Sequence, residues 1–178
     1  LFFKPDGSKM YTATNSAINE YALSTNWDIS TATFTRDASV AGQETATRDL
    51  FFRADGAKMY IVGISGDDVN EYDLSTAWDI STLSFVRNYS VLSQEGTVQG
   101  LFFKPDGTKM YITGDSGNDV TEFSLSTPWN ISTASATTIF SMAAQDGDPQ
   151  GLFFRLDGAK MYMIGQDSDN VNEYDIGT

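Results

Sequence analysis

Six aspartates fall two by two in equivalent stretches of this 178-residue chain: Asp67 and Asp68, Asp115 and Asp119, Asp167 and Asp169. Their carboxylates are the hard oxygen ligands that Ca²⁺ takes. A second series pairs an amide with an acid at Gln43-Glu44, Gln94-Glu95 and Gln145-Asp146. Acids and amides together suit a polyhydroxy ligand such as a glycan, and Trp27, Trp78 and Trp129 offer faces for a sugar ring to stack on. A plainer account stands beside each. Asp, Asn, Ser and Gly also make good hairpin tips, no segment matches an EF-hand, and a repeated Trp can simply pack its loop onto the fold.

Composition narrows the chemistry. There is no Cys, so no disulfide or thiolate metal site, and no His, the commonest general base and zinc ligand. Glu20, Glu71, Glu122 and Glu173 recur beside Tyr or Phe. A simple strand register sets them opposite Tyr11, Tyr60, Tyr111 and Tyr162, as a repeated structural contact. An active site normally breaks the symmetry of its repeat, and none of these residues does. A net charge of −13 disfavours nucleic acid and anionic membrane surfaces. No apolar run approaches the ~20 residues of a membrane helix.

These residues are carried on a repeat. LFFKPDGSKMY at Leu1 returns as LFFRADGAKMY at Leu50, LFFKPDGTKMY at Leu101 and LFFRLDGAKMY at Leu152. A second block, NEYALSTNWDIST, returns as NEYDLSTAWDIST, TEFSLSTPWNIST and a final NEYDIGT. Each copy reads as four short strands, A to D. In the third these are Gly100–Lys104, Lys109–Thr113, Val120–Leu125 and roughly Ala136–Met142. Pro105-Asp106-Gly107 makes the A–B turn. Four strands in a unit of about 50 residues, with no helix beyond one turn, fit the radial blades of a propeller. The expected architecture is an all-β propeller of four-stranded antiparallel blades. Three blades are whole (1–49, 50–100 and 101–151) and a fourth (152–178) is three-quarters present, so the ring is incomplete within this chain. The natural start is expected upstream. The rest of the ring is expected from further blades of the same longer chain or from a second copy.

Hairpin parity puts the A–B turns and C–D loops at one end of the ring. The B–C loops and D–A crossings, with the aspartates and the Gln-acid pairs, fall at the other. Eight of the eleven basic residues flank the A–B turns, which also hold an Asp each. Trp27-Asp28 and Trp78-Asp79 are not WD repeats, because they follow strand C without the Gly-His partner.

The segment GDPQGLFFRLDGAKMYMIGQDSDNVNEYDI resembles the YVTN repeat of seven-bladed, lactonase-like propellers, and LFFKPDGTKMYITGDSGNDVTEFSLST fits equally well. The likeness covers about half of each copy and departs in the LSTxWDIST insert and in Phe-Phe on strand A. Such enzymes generally draw a His or a clustered acid–base set from loops around the channel, and this chain has no His. The expectation is therefore a non-catalytic module, extracellular, cell-surface or virion-borne. It would bind a glycan or protein or serve as scaffold, without nucleic acid, membrane insertion or a cofactor other than Ca²⁺. The alternative is a lactonase-type hydrolase whose catalytic residues lie partly outside this segment.

Overall fold

A computed structural model describes residues 1–177. The chain folds into four consecutive antiparallel sheets, each in simple sequence order. The first holds β1 (Phe2–Phe3), β2 (Lys9–Ala13), β3 (Ala17–Leu23) and β4 (Ala32–Ser39). The second holds β5 (Thr47–Phe52), β6 (Lys58–Gly63), β7 (Asp68–Leu74) and β8 (Leu83–Ser90). The third holds β9 (Val98–Phe103), β10 (Lys109–Gly114), β11 (Asp119–Leu125) and β12 (Ala134–Ser141). The last has three strands, β13 (Pro149–Phe154), β14 (Lys160–Gly165) and β15 (Val171–Asp175). These are propeller blades, three of four strands and one of three.

Apolar runs on strands A and B make each sheet sticky on both faces, so the blades stack face to face. The cores accordingly lie between blades. Tyr11 and Ile18 of the first pack with Leu50, Phe52 and Ile80 of the second. Tyr60 and Val62 of the second pack with Phe103 and Ile131 of the third, and Phe102 and Val120 of the third with Phe154 and Met163 of the fourth. The fourth strands β4, β8 and β12 lie outermost and are largely exposed.

The A–B turns need glycine at a left-handed position, with φ of 74°, 72°, 72° and 75° at Gly7, Gly56, Gly107 and Gly158. In the first three blades a C–D loop folds onto this turn. Trp78 donates its main-chain N–H to the Gly56 carbonyl at 3.0 Å, and its indole lies where a Gly56 Cβ would stand. A single 3-10 turn follows, capped by Asp79, whose side chain accepts from Ser81 N. The tryptophans themselves take positive φ (66°, 63° and 64° at Trp27, Trp78 and Trp129), an uncommon state for a bulky residue. At two of the three, contacts across the blade boundary are added. The Trp78 carbonyl accepts from Tyr11 Oη at 2.7 Å and Lys9 Nζ at 2.8 Å, and the Trp129 carbonyl from Tyr60 Oη at 2.6 Å.

Strand A begins earlier than expected, at Thr47, Val98 and Pro149. The extra residues enter through a bulge in the A–B pairs of the second, third and fourth blades: Arg48, Gln99 and Gln150 are skipped between Thr47 and Asp49, Val98 and Gly100, and Pro149 and Gly151.

Candidate active site

Each recurring Glu of strand C stands opposite its Tyr of strand B, as at Tyr11 and Glu20 or Tyr60 and Glu71. The carboxylates are taken up by lysines of the same sheet, Lys9–Glu20 at 2.8 Å and Lys58–Glu71 at 2.6 Å. Glu44, Glu95 and Asp146 are almost fully buried at the crossings. Glu44 accepts from the N–H groups of Ala46, Ser65 and Gly66, and Glu95 from those of Thr97, Ser116 and Gly117. Asp146 does the same with Asp148, Asp167 and Ser168. Each acid therefore ties a D–A crossing to the B–C loop of the blade it enters, in space left by Gly63, Gly114 and Gly165. Burial pushes the Asp146 carboxyl up, but the hydrogen bonds of Ser168, Asp148 and Asp167 outweigh it and hold its pKa below the ordinary value. Gln43 accepts from Tyr72 Oη at 3.1 Å, Gln94 accepts from Ser93, and Gln145 is exposed.

The six loop aspartates do not converge. Asp68 is buried and bonded to Asn70 and Asn88 at 2.6 and 2.5 Å, and Asp119 accepts from Thr121 at 3.2 Å. Burial and neighbouring acids raise the pKa of Asp67 and of Asp119. Asp115 is half-buried, whereas Asp167 and Asp169 are exposed. Among the described residues no three acids stand close enough to share a metal ion. Of the tryptophans, Trp78 is buried, Trp129 half-buried and Trp27 58% exposed.

Where the repeat breaks its symmetry is elsewhere, at the start of strand A. The second blade reads Arg48-Asp49 where the third and fourth read Gln99-Gly100 and Gln150-Gly151. Reading each copy from its Leu-Phe-Phe leaves this pair outside the pattern, although it is legible one step upstream. Asp49 lies at one end of an open groove of about 620 Å³, walled by strand A residues of all four blades. It is the only charged side chain on that wall, among Leu50, Phe51, Leu101, Phe102 and Leu152. Its oxygens accept from Leu50 N at 2.8 Å and, across the blade boundary, from Leu101 N at 3.0 Å. Burial raises its pKa above the usual aspartate value, against the lowering pull of these two N–H groups. Arg48, the bulge residue beside it, is exposed and, among the described residues, the one side-chain cation in no ion pair. Bulges are frequent beside active sites because they re-aim a side chain.

No protein-family profile and no curated protein sequence matches the chain. Solved structures do. A Bacteroides uniformis protein with a provisional 6-phosphogluconolactonase assignment superposes with a TM-score of 0.66 and 14% identity, over 98% of this chain and 49% of its own. A Bacteroides fragilis protein of the same assignment gives 0.66 and 16%, over 98% and 49%. The periplasmic gluconolactonase of Pseudomonas aeruginosa gives 0.61 and 16%, over 98% and 48%. At these identities the likeness shows the fold, a propeller like those of lactonases, and this chain spans about half the length of each. The matches correct the expectation of a non-catalytic binding or scaffold module that is no enzyme, because the propellers it superposes on are named for lactone hydrolysis. The argument from missing histidine weighed the acids of the loops, crossings and strand C, and not Asp49. One of the matched propellers is a periplasmic protein; an extracellular, cell-surface or virion setting for this chain is not shown. No helix among the described residues is long and apolar enough to cross a membrane.

Proposed function

We propose that this chain is part of a lactone hydrolase that opens sugar lactones in the groove walled by its inner strands, with Asp49 as general base. The observation that carries this reading is the Arg48-Asp49 pair, the break in the repeat on a fold shared with lactonases. Water bonds through its oxygen to the lactone carbonyl carbon while Asp49 takes its proton. The ring C–O bond then breaks, and the ring oxygen leaves as a hydroxyl carrying the proton back from Asp49. A carboxyl whose pKa is lifted by burial is suited to accept that proton near neutrality. Arg48, free of any acid partner, holds the substrate's anionic group, a phosphate on the 6-position or the carboxylate that forms. Further blades of the same longer chain complete the ring to the seven-bladed type, in keeping with the half-length coverage of the solved propellers.

The test is ring opening of gluconolactone and its 6-phosphate by the chain, read by pH-stat. Asp49→Asn is expected to lower kcat by ~100-fold or more, the usual worth of a general base. Arg48→Gln should raise KM for the phosphorylated substrate alone. Combining Arg48→Gln with Asp49→Gly copies the third blade's own Gln99-Gly100, so the double variant serves as one that folds. Activity unaltered in all three, or neither turnover nor saturable binding of 6-phosphogluconate, would refute the proposal.

A further inference from the structure

The inner edge of the sheets already holds one carboxylate, and it shows what that edge can bind. Asp49 accepts the main-chain N–H of Leu50 at 2.8 Å and that of Leu101, in the next blade, at 3.0 Å. Strand register explains why these two groups are free of their own sheets. At each A–B turn the residue closing strand A donates to the first residue of strand B: Arg53 to Lys58, Lys104 to Lys109 and Arg155 to Lys160. Ladder bonds alternate along an antiparallel pair, so Phe51, Phe102 and Phe153 bond to their Tyr partners on strand B. Leu50, Leu101 and Leu152, one residue earlier, therefore turn their N–H groups away from strand B, out of the inner edge. The side chain that claims such an N–H comes from the blade before, as Asp49 of the second blade reaches Leu101 of the third. What faces Leu152 of the fourth is Gly100 of the third, which stands where the second blade has Asp49. A Cβ on Gly100 would lie 3.4 Å from Leu152 N, so the approach is made but no carboxylate comes with it. Leu152 and Asp49 line the same groove.

We propose that the Leu152 N–H is the oxyanion donor of this groove. It binds the carbonyl oxygen of the lactone, then the oxyanion of the tetrahedral intermediate, and last a carboxylate oxygen of the opened acid. This rests on the reading of Asp49 as general base and deepens it by naming the group that works opposite that base. When water adds to the carbonyl carbon, its proton goes to Asp49 and the C=O π pair moves onto the oxygen held by Leu152. On collapse the C=O re-forms and the ring C–O bond breaks, the ring oxygen taking the proton from Asp49. A main-chain N–H suits the part because the strand fixes it in advance, so no reorganisation is needed as charge develops. Gly100 keeps the position open to substrate. Its backbone is not left-handed, and it stands opposite Thr113 as Asp49 stands opposite Val62, both β-branched. A side chain at 100 thus has a precedent in the repeat, with Thr113 Cγ2, 2.9 Å from the built Cβ, moving aside.

Titrating the ¹⁵N-labelled chain with sodium gluconate, the opened acid, and following the Leu152 amide by NMR tests this without turnover. A saturable downfield shift of that amide is expected. Gly100→Asn supplies a neutral oxygen that accepts the Leu152 N–H internally, so the amide should move downfield before ligand is added and gluconate should no longer shift it. The same variant should lower kcat for gluconolactone by ~100-fold or more, the worth of one oxyanion donor. A Leu152 amide that gluconate leaves unmoved overturns the proposal, as does the same saturable shift, or unchanged turnover, in Gly100→Asn. The two readings fail separately. Full turnover in Asp49→Asn with the Leu152 shift intact removes the base, whereas turnover that depends on Asp49 without any shift at Leu152 removes the donor alone.

Discussion

Replacing Trp78 and Trp27 by alanine, one at a time, tests whether the tryptophans are staples between blades. An indole buries about 200 Å² when enclosed. Trp78 is 8% exposed, wedged among Phe52, Tyr11 and Phe2 at 5.2, 6.2 and 6.3 Å. At about 25 cal/mol per Å² its burial stabilises the fold by about 5 kcal/mol, the upper end of aromatic-to-alanine costs. Trp27 sits in an equivalent loop with the same left-handed backbone, yet it is 58% exposed and Phe3, at 5.3 Å, is the one aromatic ring it meets among the described residues. The same arithmetic leaves it about 2 kcal/mol. In a chain of this size each kcal/mol moves Tm by roughly 2–4 °C. Trp78→Ala is thus expected to lower Tm by about 10–20 °C and Trp27→Ala by about 4–8 °C, read by circular dichroism or calorimetry. Equal shifts would refute the reasoning, because they would mean the cost comes from the loop's own conformation and not from the blade behind it.

The turn beneath the indole can be probed as well. Gly107→Ala and Gly158→Ala both force a left-handed alanine, about 1–2 kcal/mol, but only Gly107→Ala also drives a methyl into an indole, that of Trp129. It should cost ~1–3 kcal/mol more, as overpacking does; equal losses in a urea titration would remove the indole from the account. Two carboxyls should respond to pH in opposite senses. Because the Asp49 pKa is raised in the fold, its contribution favours folding below the ordinary 3.8 and is lost as pH rises through the folded value. Asp49→Asn should therefore raise Tm at pH 7 and not at pH 3. Because the Asp146 pKa is lowered, its contribution is present above 3.8 and is lost as pH falls through the folded value. Asp146→Asn should lower Tm at pH 7, with a difference that shrinks on acidification; matching pH dependence in the two variants would contradict both assignments.

How far the sequence could be read depended on whether a feature was repeated. The blade, its Asp-Gly turn, the Glu–Tyr register and the two loop ends are local and periodic, so each copy checks the others. The bulge at Arg48, Gln99 and Gln150 is periodic too, but it sits in the step between copies and hides when the period is counted from Leu-Phe-Phe. The role of Glu44, Glu95 and Asp146 was hidden for another reason. Each binds N–H groups about 21 residues ahead in the next B–C loop, and a main-chain N–H leaves no mark in sequence. Which acids of these loops the backbone claims is therefore not legible from residue type alone.

A repeat that serves packing at every boundary constrains where chemistry can arise. Lys9 and Lys58 with Glu20 and Glu71 bond within a sheet, and Tyr11 and Tyr60 reach the carbonyl behind the next tryptophan, so their polar groups are committed. A residue free to act on a substrate has to stand where the repeat is relaxed. One such place emerges. At Arg48-Asp49 a blade gains charge that its siblings lack, with a half-desolvated carboxyl on the inner wall and an unclaimed cation beside it. The proposed chemistry therefore rests on groups that the neighbouring blades do without.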